Sequence, residues 1–378
     1  MLIFLFQGLI FYFRTVFYYY ENVYITRMMI KMKIPTIKDI AAEAGVTHCA
    51  VSHVLHNDAY AAKVRPETRQ RILNAAAKLG YVQNQLAIAT RTGQVNTIAL
   101  IVNFTKLQDL APVSQIISGV MMESSARYYS IKIFSEDELE QAFRQIAENR
   151  IGKVISLSVD HELREHAAEL AEKYSMQLVF AYEHGHRKFP AVNVDNAEMA
   201  AKMVHYLFDR GHDKIGFLGM PHPWHWAKDR LTGYLHGMAE CGLKVDPRWT
   251  ASSEDIERSV DHMISLPDKV RPTAFAALTD SVAATALRHV RNLGLRLPDD
   301  FSVIGIGNTI LSNYTQVRLT SMEESRPELG KLLVRLLLDG KLDIQPDQFN
   351  VYRIHADIIE RESVFNRNNN KSKRRRSK

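Results

Sequence analysis

Apolar residues recur with two different periods along the chain, and the change of period divides it. In "TIKDIAAEAG", which starts at Thr36, residues Ile37, Ile40, Ala41 and Ala44 fall on one helical face. Asp39 stands three residues after Thr36, close to a capping box, and Gly45 supplies a left-handed stop. In "GVTHCAVSHVL" Thr47 caps a second short helix, with Val51, Val54 and Leu55 turned inward and His48, Cys49, Ser52 and His53 turned out. A third helix opens with Pro66, points Ile72, Leu73, Ala76 and Leu79 inward and closes at Gly80. Two short helices around a glycine turn, the second with a polar tip, form a helix-turn-helix, which places His48, Cys49 and Ala50 against base edges in a major groove. The plainer alternative is a three-helix scaffold that touches no DNA.

Beyond residue 95 the pattern becomes strand-like runs alternating with helices. "TIALIV", "KVISLSV", "QLVFAY", "KIGFLG", "TAFAALT" and "FSVIGI" alternate with helical stretches such as "DNAEMAAKMVHYLFDRG" and "DSVAATALRHVRNLG". This alternation predicts parallel, doubly wound sheets covered by helices, in a length that allows two lobes. Ligands in such sheets bind at the carboxyl ends of strands. The predicted organisation is a helix-turn-helix head over 33–81, a linker over 82–94 and a two-lobed body over 95–365.

Charge sharpens that division. The net +6 of the 378 residues hides a head (33–94) with eight Lys/Arg against four Asp/Glu, and a body (95–366) with 30 against 37. A basic head on an acidic body points to a polyanionic partner at one end only. Cys49 and Cys241 are the two cysteines, too few for a disulfide framework, which favours a reducing compartment. The apolar residues 1–20 are broken by Arg14 and lack a basic signal-peptide start. Residues 1–32 therefore read as a disordered or non-native leader, translation beginning at Met28, Met29 or Met32; a membrane anchor is the alternative. The tail 366–378, with seven Lys/Arg from residue 367 onward, reads as disordered and solvated.

"TIKDIAAEAGVTHCAVSHVL" and "ETRQRILNAAAKLGY" resemble the DNA-binding head of the LacI/GalR (lactose/galactose repressor) family. "VNVDN", "RGHDKIGFLGMP", "DRLTGYLHGMAECGL", "RPTAFAALTD", "LRLPDDFSVIGIGN" and "LTSMEESRPELGKLLVRLLLDG" carry the likeness through the body, over about residues 35–362. The resemblance implies an all-α helix-turn-helix head followed by an α/β, two-lobed, periplasmic-binding-protein-like body that dimerises. It implies DNA contacts from Thr36, Thr47, His48, Cys49, Ala50, Ser52, His53, His56 and Thr68, and from Tyr81, Asn84 and Ala87 in the hinge. Departures stand at Ala50, His53 and His56, where the family has Thr, Arg and Asn. Arginine is the better bidentate reader of guanine, so an unusual operator preference is expected. The loop between His56 and Val64 is about three residues longer than in the family. Gln83 replaces the hinge proline, and Thr90 stands where the family has its minor-groove leucine, so less DNA bending is expected.

In the body the resemblance implies that Asp195 and Arg230 bind sugar hydroxyls, with a surface ion pair or helix cap as the alternative for each. The family's A-N-D reads Leu278-Thr279-Asp280 here, and its G-[FY]-D reads Gly305-Ile306-Gly307, which removes an amide and a carboxylate. Trp224 and Trp226 stand shortly before Arg230 in sequence and can stack on a sugar, or simply pack their loop; Tyr182 ends another strand. Thr279 and Tyr182 complete the expected effector set. The histidines of "HELREH" (His161, His166) are spaced i,i+5, not i,i+4, and neither 184–186 nor the His222/His225 pair has a completing carboxylate in sequence. No nucleophile–base constellation occurs. No enzyme, metal or cofactor is expected.

The resulting expectation is a cytoplasmic, nucleoid-associated homodimer that binds a palindromic double-stranded operator. A small carbohydrate-derived effector controls it. An effector-independent regulator, and an anchored solute-binding protein, are the two alternatives.

Overall fold

The computed structural model describes residues 35–56, 60–82, 95–103, 111–182, 184–186, 188–219, 225–251 and 255–368, the side chains of His56, Ala111, Pro112 and Ala251 excepted. The chain forms two compact units that divide between Gln85 and Leu86.

The first unit is three helices, α1 (Ile37–Ala44), α2 (His48–His56) and α3 (Pro66–Leu79). The capping box forms in full: Thr36 Oγ1 accepts from Asp39 N at 3.4 Å, and the Asp39 carboxylate accepts from Thr36 N at 2.8 Å. Gly45 and Gly80 close α1 and α3, both at φ 63°, where a side chain would be strained. Ile40, Ala41, Ala44, Val51, Val54, Ile72, Ala75 and Ala76 make the core. Leu73, expected inside, lies 41% exposed, and Ala75 takes the inward position instead. The inward stripe of α3 is narrow and lined with alanine, so α3 lies close to its neighbours and leaves no room for a leucine off the stripe's centre.

The second unit has two parallel sheets. Its elements run β1 (Thr97–Val102), α4 (Ala111–Ala126), β2 (Ser130–Ser135), α5 (Leu139–Glu148), β3 (Lys153–Ser156), α6 (His161–Lys173), β4 (Gln177–Ala181), β5 (Ala191–Val194), α7 (Asn196–Asp209), β6 (Ile215–Leu218), α8 (His225–Glu240), β7 (Thr250–Ala251), α9 (Ile256–Ser265), β8 (Ala274–Ala277), α10 (Asp280–Asn292), β9 (Ser302–Ile306), α11 (Leu311–Tyr314), β10 (Thr320–Glu323), α12 (Arg326–Asp339), β11 (Val351–Ile354) and β12 (Asp357–Ile359). One sheet has the order β11-β5-β4-β3-β1-β2 and the other β12-β10-β9-β8-β6-β7, with β12 alone antiparallel to its neighbour. Central strands such as β1, β3, β6, β8 and β9 are buried almost throughout, as continuous apolar runs between helical layers require. Edge strand β2 is mostly exposed, and its polar sequence concealed it.

The chain crosses between lobes three times: at Asp195 before α7, at Glu324–Ser325 between β10 and α12, and at His355–Ala356 between β11 and β12. Each lobe has one helix pair packed backbone to backbone through glycine. A Cβ on Gly330 of α12 would stand 2.2 Å from the Ile116 carbonyl oxygen of α4, and one on Gly233 of α8 would stand 2.1 Å from that of Ala197 in α7.

Residues 366–368, expected in a disordered tail, are held in place here. Residues 363–368 strap the second lobe: Ser363 Oγ donates to Val303 O at 2.5 Å, Phe365 N to Ser302 Oγ at 2.9 Å, and Arg367 N to Arg210 O at 2.8 Å. Buried His212 fastens the strap, since its Nε2 reaches Phe365 O at 3.0 Å while Nδ1 reaches Thr273 Oγ1 at 2.9 Å. A carbonyl can only accept, so Nε2 carries the proton and Nδ1 accepts from the threonine hydroxyl. Burial depresses the imidazole pKa to about 4. Among the described residues no helix is long and apolar enough to cross a membrane; residues 1–34 and 369–378 lie outside the description.

Candidate nucleic-acid interface and effector site

Helix α2 stands on the head core by Val51 and Val54, both buried, with Leu55 partly buried beside them. Thr47 Oγ1 accepts from Ala50 N at 3.3 Å and so starts the helix, its O–H remaining a donor. His48 and Cys49 are exposed, with Cys49 Sγ 3.6 Å from His48 Nε2. No acidic residue occupies the first turn. Free N–H groups and a positive dipole end with no nearby carboxylate suit a phosphate or a base acceptor. Ser52 and His53 are half-exposed one turn further, and the His53 ring meets Tyr60 at 5.2 Å between centroids.

Several of the expected contact residues also have partners within the head. Ala50 and Tyr81, both partly buried, pack on the head core. Thr36 is exposed, but its hydroxyl is engaged with Asp39. Thr68 is half-buried in the first turn of α3. The His56 side chain, Gln83, Asn84, Ala87 and Thr90 lie outside the described residues, as do 57–59 in the lengthened loop.

In the body the expected effector residues gather at the crossovers. Arg230 is 4% exposed and makes three directional hydrogen bonds: Nε to Asn196 Oδ1 at 2.9 Å, one Nη to Leu278 O at 2.8 Å and the other to Glu324 Oε1 at 2.6 Å. Trp226 lies against the guanidinium, 4.8 Å from ring centroid to carbon. Glu324, also buried, pairs with Arg326 as well. Arg326 donates to Gly307 O at 3.0 Å and reaches Gln115 Oε1 at 3.5 Å. Burial alone would raise the Glu324 carboxyl, but Arg326 and Arg230 outweigh it and hold it below the usual carboxylate range. Tyr182, in the left-handed region at φ 64°, faces the same charges, and burial pushes its phenol up to about 12.

Asp195 and Thr279 act as helix caps. Asp195 Oδ1 accepts from Glu198 N at 2.9 Å at the start of α7, and Thr279 Oγ1 accepts from Val282 N at 3.3 Å at the start of α10. Trp224 lies outside the described residues. Sequence reading missed Glu324, Arg326, Asn196 and Asp280. Asp280 is buried and accepts from Thr309 N at 2.6 Å and Ser321 Oγ at 2.5 Å. A charge pair spaced i,i+2 straight after an apolar strand, "MEESRPE", was the available signal for Glu324 and Arg326.

Gly307 explains one departure from the family pattern. Its φ of +125° disfavours any side chain, and a Cβ there would meet the Arg326 guanidinium nitrogens at 3.3 and 3.4 Å. Arg326 thus fills the space beside the position where the family carries a carboxylate.

The profile described as "Bacterial regulatory proteins, lacI family" matches residues 36–84, and that described as "Periplasmic binding protein-like domain" matches 204–364. The two matches together support a LacI/GalR-family regulator. It is 29% identical over 313 residues to the "HTH-type transcriptional repressor CytR" of Escherichia coli strain K12, covering 80% of this chain and 89% of that one. It is 27% identical to the "HTH-type transcriptional repressor PurR" of Aliivibrio fischeri, covering 88% and 99%. Among solved structures it is similar in fold to the lac repressor dimer bound to operator and the anti-inducer ONPF (TM-score 0.66, 20% identity, 88% of this chain and 100% of that one). It is similar also to the CelR–cellobiose complex (TM-score 0.59, 22% identity, 87% and 99%). These relatives are transcriptional regulators and not enzymes.

Proposed function

We propose that this LacI/GalR-family protein is a sequence-specific DNA-binding transcriptional repressor. In this reading a small carbohydrate-derived effector, bound where the lobes cross over, tunes its grip on a palindromic operator. The observation that carries the reading is the exposed His48–Cys49 tip of α2, an open helix N-terminus raised on a small apolar core. Two heads in a cytoplasmic homodimer would read two half-sites, as the two-fold symmetry of such operators requires. An effector shifts operator affinity only by as much as its affinities for the two body states differ. Arg230, Trp226 and Tyr182 supply the donors and the ring face suited to a polyol.

One observation favours a second reading, in which no effector is needed. Glu324 already gives Arg230 an acidic partner at 2.6 Å, in the manner of a ligand oxygen. Calorimetry with sugars and sugar phosphates separates the two: no heat from any of them, with intact operator binding, supports the effector-independent regulator. Selection of binding sites from random DNA tests the primary reading. It predicts a palindromic consensus that changes in a His48→Ala variant; an unchanged consensus would remove α2 from the interface.

A further inference from the structure

Four potential metal donors meet where the two lobes face each other, although they are far apart in sequence. His161 is the first residue of α6, and His184 follows β4; both belong to the first lobe. His225 is the first residue of α8, and Asp229 lies one turn on; both belong to the second. The His184 and His225 rings lie 4.7 Å apart between centroids, and His225 and His161 lie 6.3 Å apart. His184 Nδ1 stands 3.4 Å from Asp229 Oδ2.

That last separation is longer than a close hydrogen bond and matches the span of two donors on one ion. A charge-assisted hydrogen bond between imidazole and carboxylate closes to about 2.7–2.9 Å. Two donors bonded to one tetrahedral zinc, each about 2.0–2.2 Å from it, stand roughly 3.3 Å apart. Two imidazoles on one such ion place their ring centroids about 5 Å apart, between the two values seen here. The i,i+4 spacing of His225 and Asp229 sets both on one face of α8, the arrangement that lets one helix grip an ion twice.

We propose that His184, His225 and Asp229, with His161 as fourth donor, bind a divalent transition-metal ion of the zinc class across the mouth of the inter-lobe site. Imidazole-rich sets with one carboxylate select such ions over magnesium or calcium, which take oxygen donors. Among the described residues no three donors already converge on one point, so the set closes by rotation of the His225 and His161 side chains, both exposed. His225 adjoins Trp226, which lies on Arg230, and His184 is two residues past Tyr182. An ion held from both lobes therefore stabilises their approach and couples to whatever else favours it.

The test uses the full chain without an affinity tag, stripped with a chelator and titrated with zinc sulfate in a calorimeter. One zinc per chain is expected, with no heat from magnesium chloride. His225→Gln and Asp229→Asn should each weaken zinc binding by at least about tenfold. His236→Gln, on an exposed histidine of the same helix paired with Glu240, should leave it unchanged. Circular dichroism melting checks that each variant stays folded, and either of the first two variants suffices if the other does not. Absence of stoichiometric zinc binding overturns the proposal, as does unchanged affinity in a folded His225→Gln or Asp229→Asn chain. Neither outcome bears on DNA binding, so the regulatory reading stands or falls separately.

Discussion

The head and the inter-lobe crossovers solve opposite problems. The head is held by small apolar side chains and by backbone caps from residues three apart, and it leaves its polar groups outward for a partner. The crossovers bury two arginines and a glutamate that pair with one another. A contact of the first kind loses apolar burial when cut, whereas one of the second kind leaves a charge stranded in low dielectric. The first design frees a surface for recognition; the second makes the junction of the lobes respond to any new charge or donor that enters it.

The comparison breaks most visibly at Val51. An aspartate there, at a fully buried position of a small core, should unfold the head at a cost of several kcal/mol and abolish operator binding. The body should melt unchanged, because it forms a separate compact unit. Circular dichroism and gel shift check both halves; a folded, DNA-binding Val51→Asp chain would contradict the core assignment.

At the crossovers Arg230→Ala should cost about 3–5 kcal/mol of body stability as well as any effector response, because Glu324 loses one of its two partners. The double change Arg230→Met with Glu324→Met should recover much of that loss in denaturant titrations. If the single variant melts normally, Arg230 serves the effector alone and the ion-pair account fails.

His212 sharpens the contrast through pH. Its folded pKa of about 4 lies below the unfolded value of 6.5, so between those values the unfolded state binds more protons. Body stability should fall as pH drops from 6.5 toward 4, by up to about 3 kcal/mol, and the His212→Gln profile should be flatter over that window. An equal slope in the variant would show that other groups carry the acid sensitivity.

The smallest effect is expected at the tip of α2. His48→Ala should cost about 1–3 kcal/mol on the preferred operator and relax the preference at one base position, without changing the melting of the head.

What the sequence disclosed follows the same contrast. Caps and stripes in α1, α2 and α3 depend on residues three or four apart, so Thr36, Asp39, Gly45 and Pro66 announced themselves. The buried central strands were plain as apolar runs; β2 was not, because an edge strand shows water the polar residues of a loop. The ion-pair cluster was illegible for a different reason. Arg230 meets Asn196 and Glu324 across 34 and 94 residues, and no local period encodes such meetings. Leu73 was misplaced because a narrow alanine stripe and a broader leucine stripe share one spacing, and the closeness of neighbouring helices decides between them. Residues 366–368 were lost in a tail whose basic composition suits disorder, while the groups that fasten the strap, Ser302, Arg210 and His212, lie elsewhere in the chain.

The central claim is that α2 reads duplex DNA by sequence. Equilibrium competition at physiological ionic strength measures this most directly, setting a duplex recovered by site selection against bulk genomic fragments. The account predicts a preference of at least about a thousandfold for the selected duplex. Equal affinity for the two would contradict it.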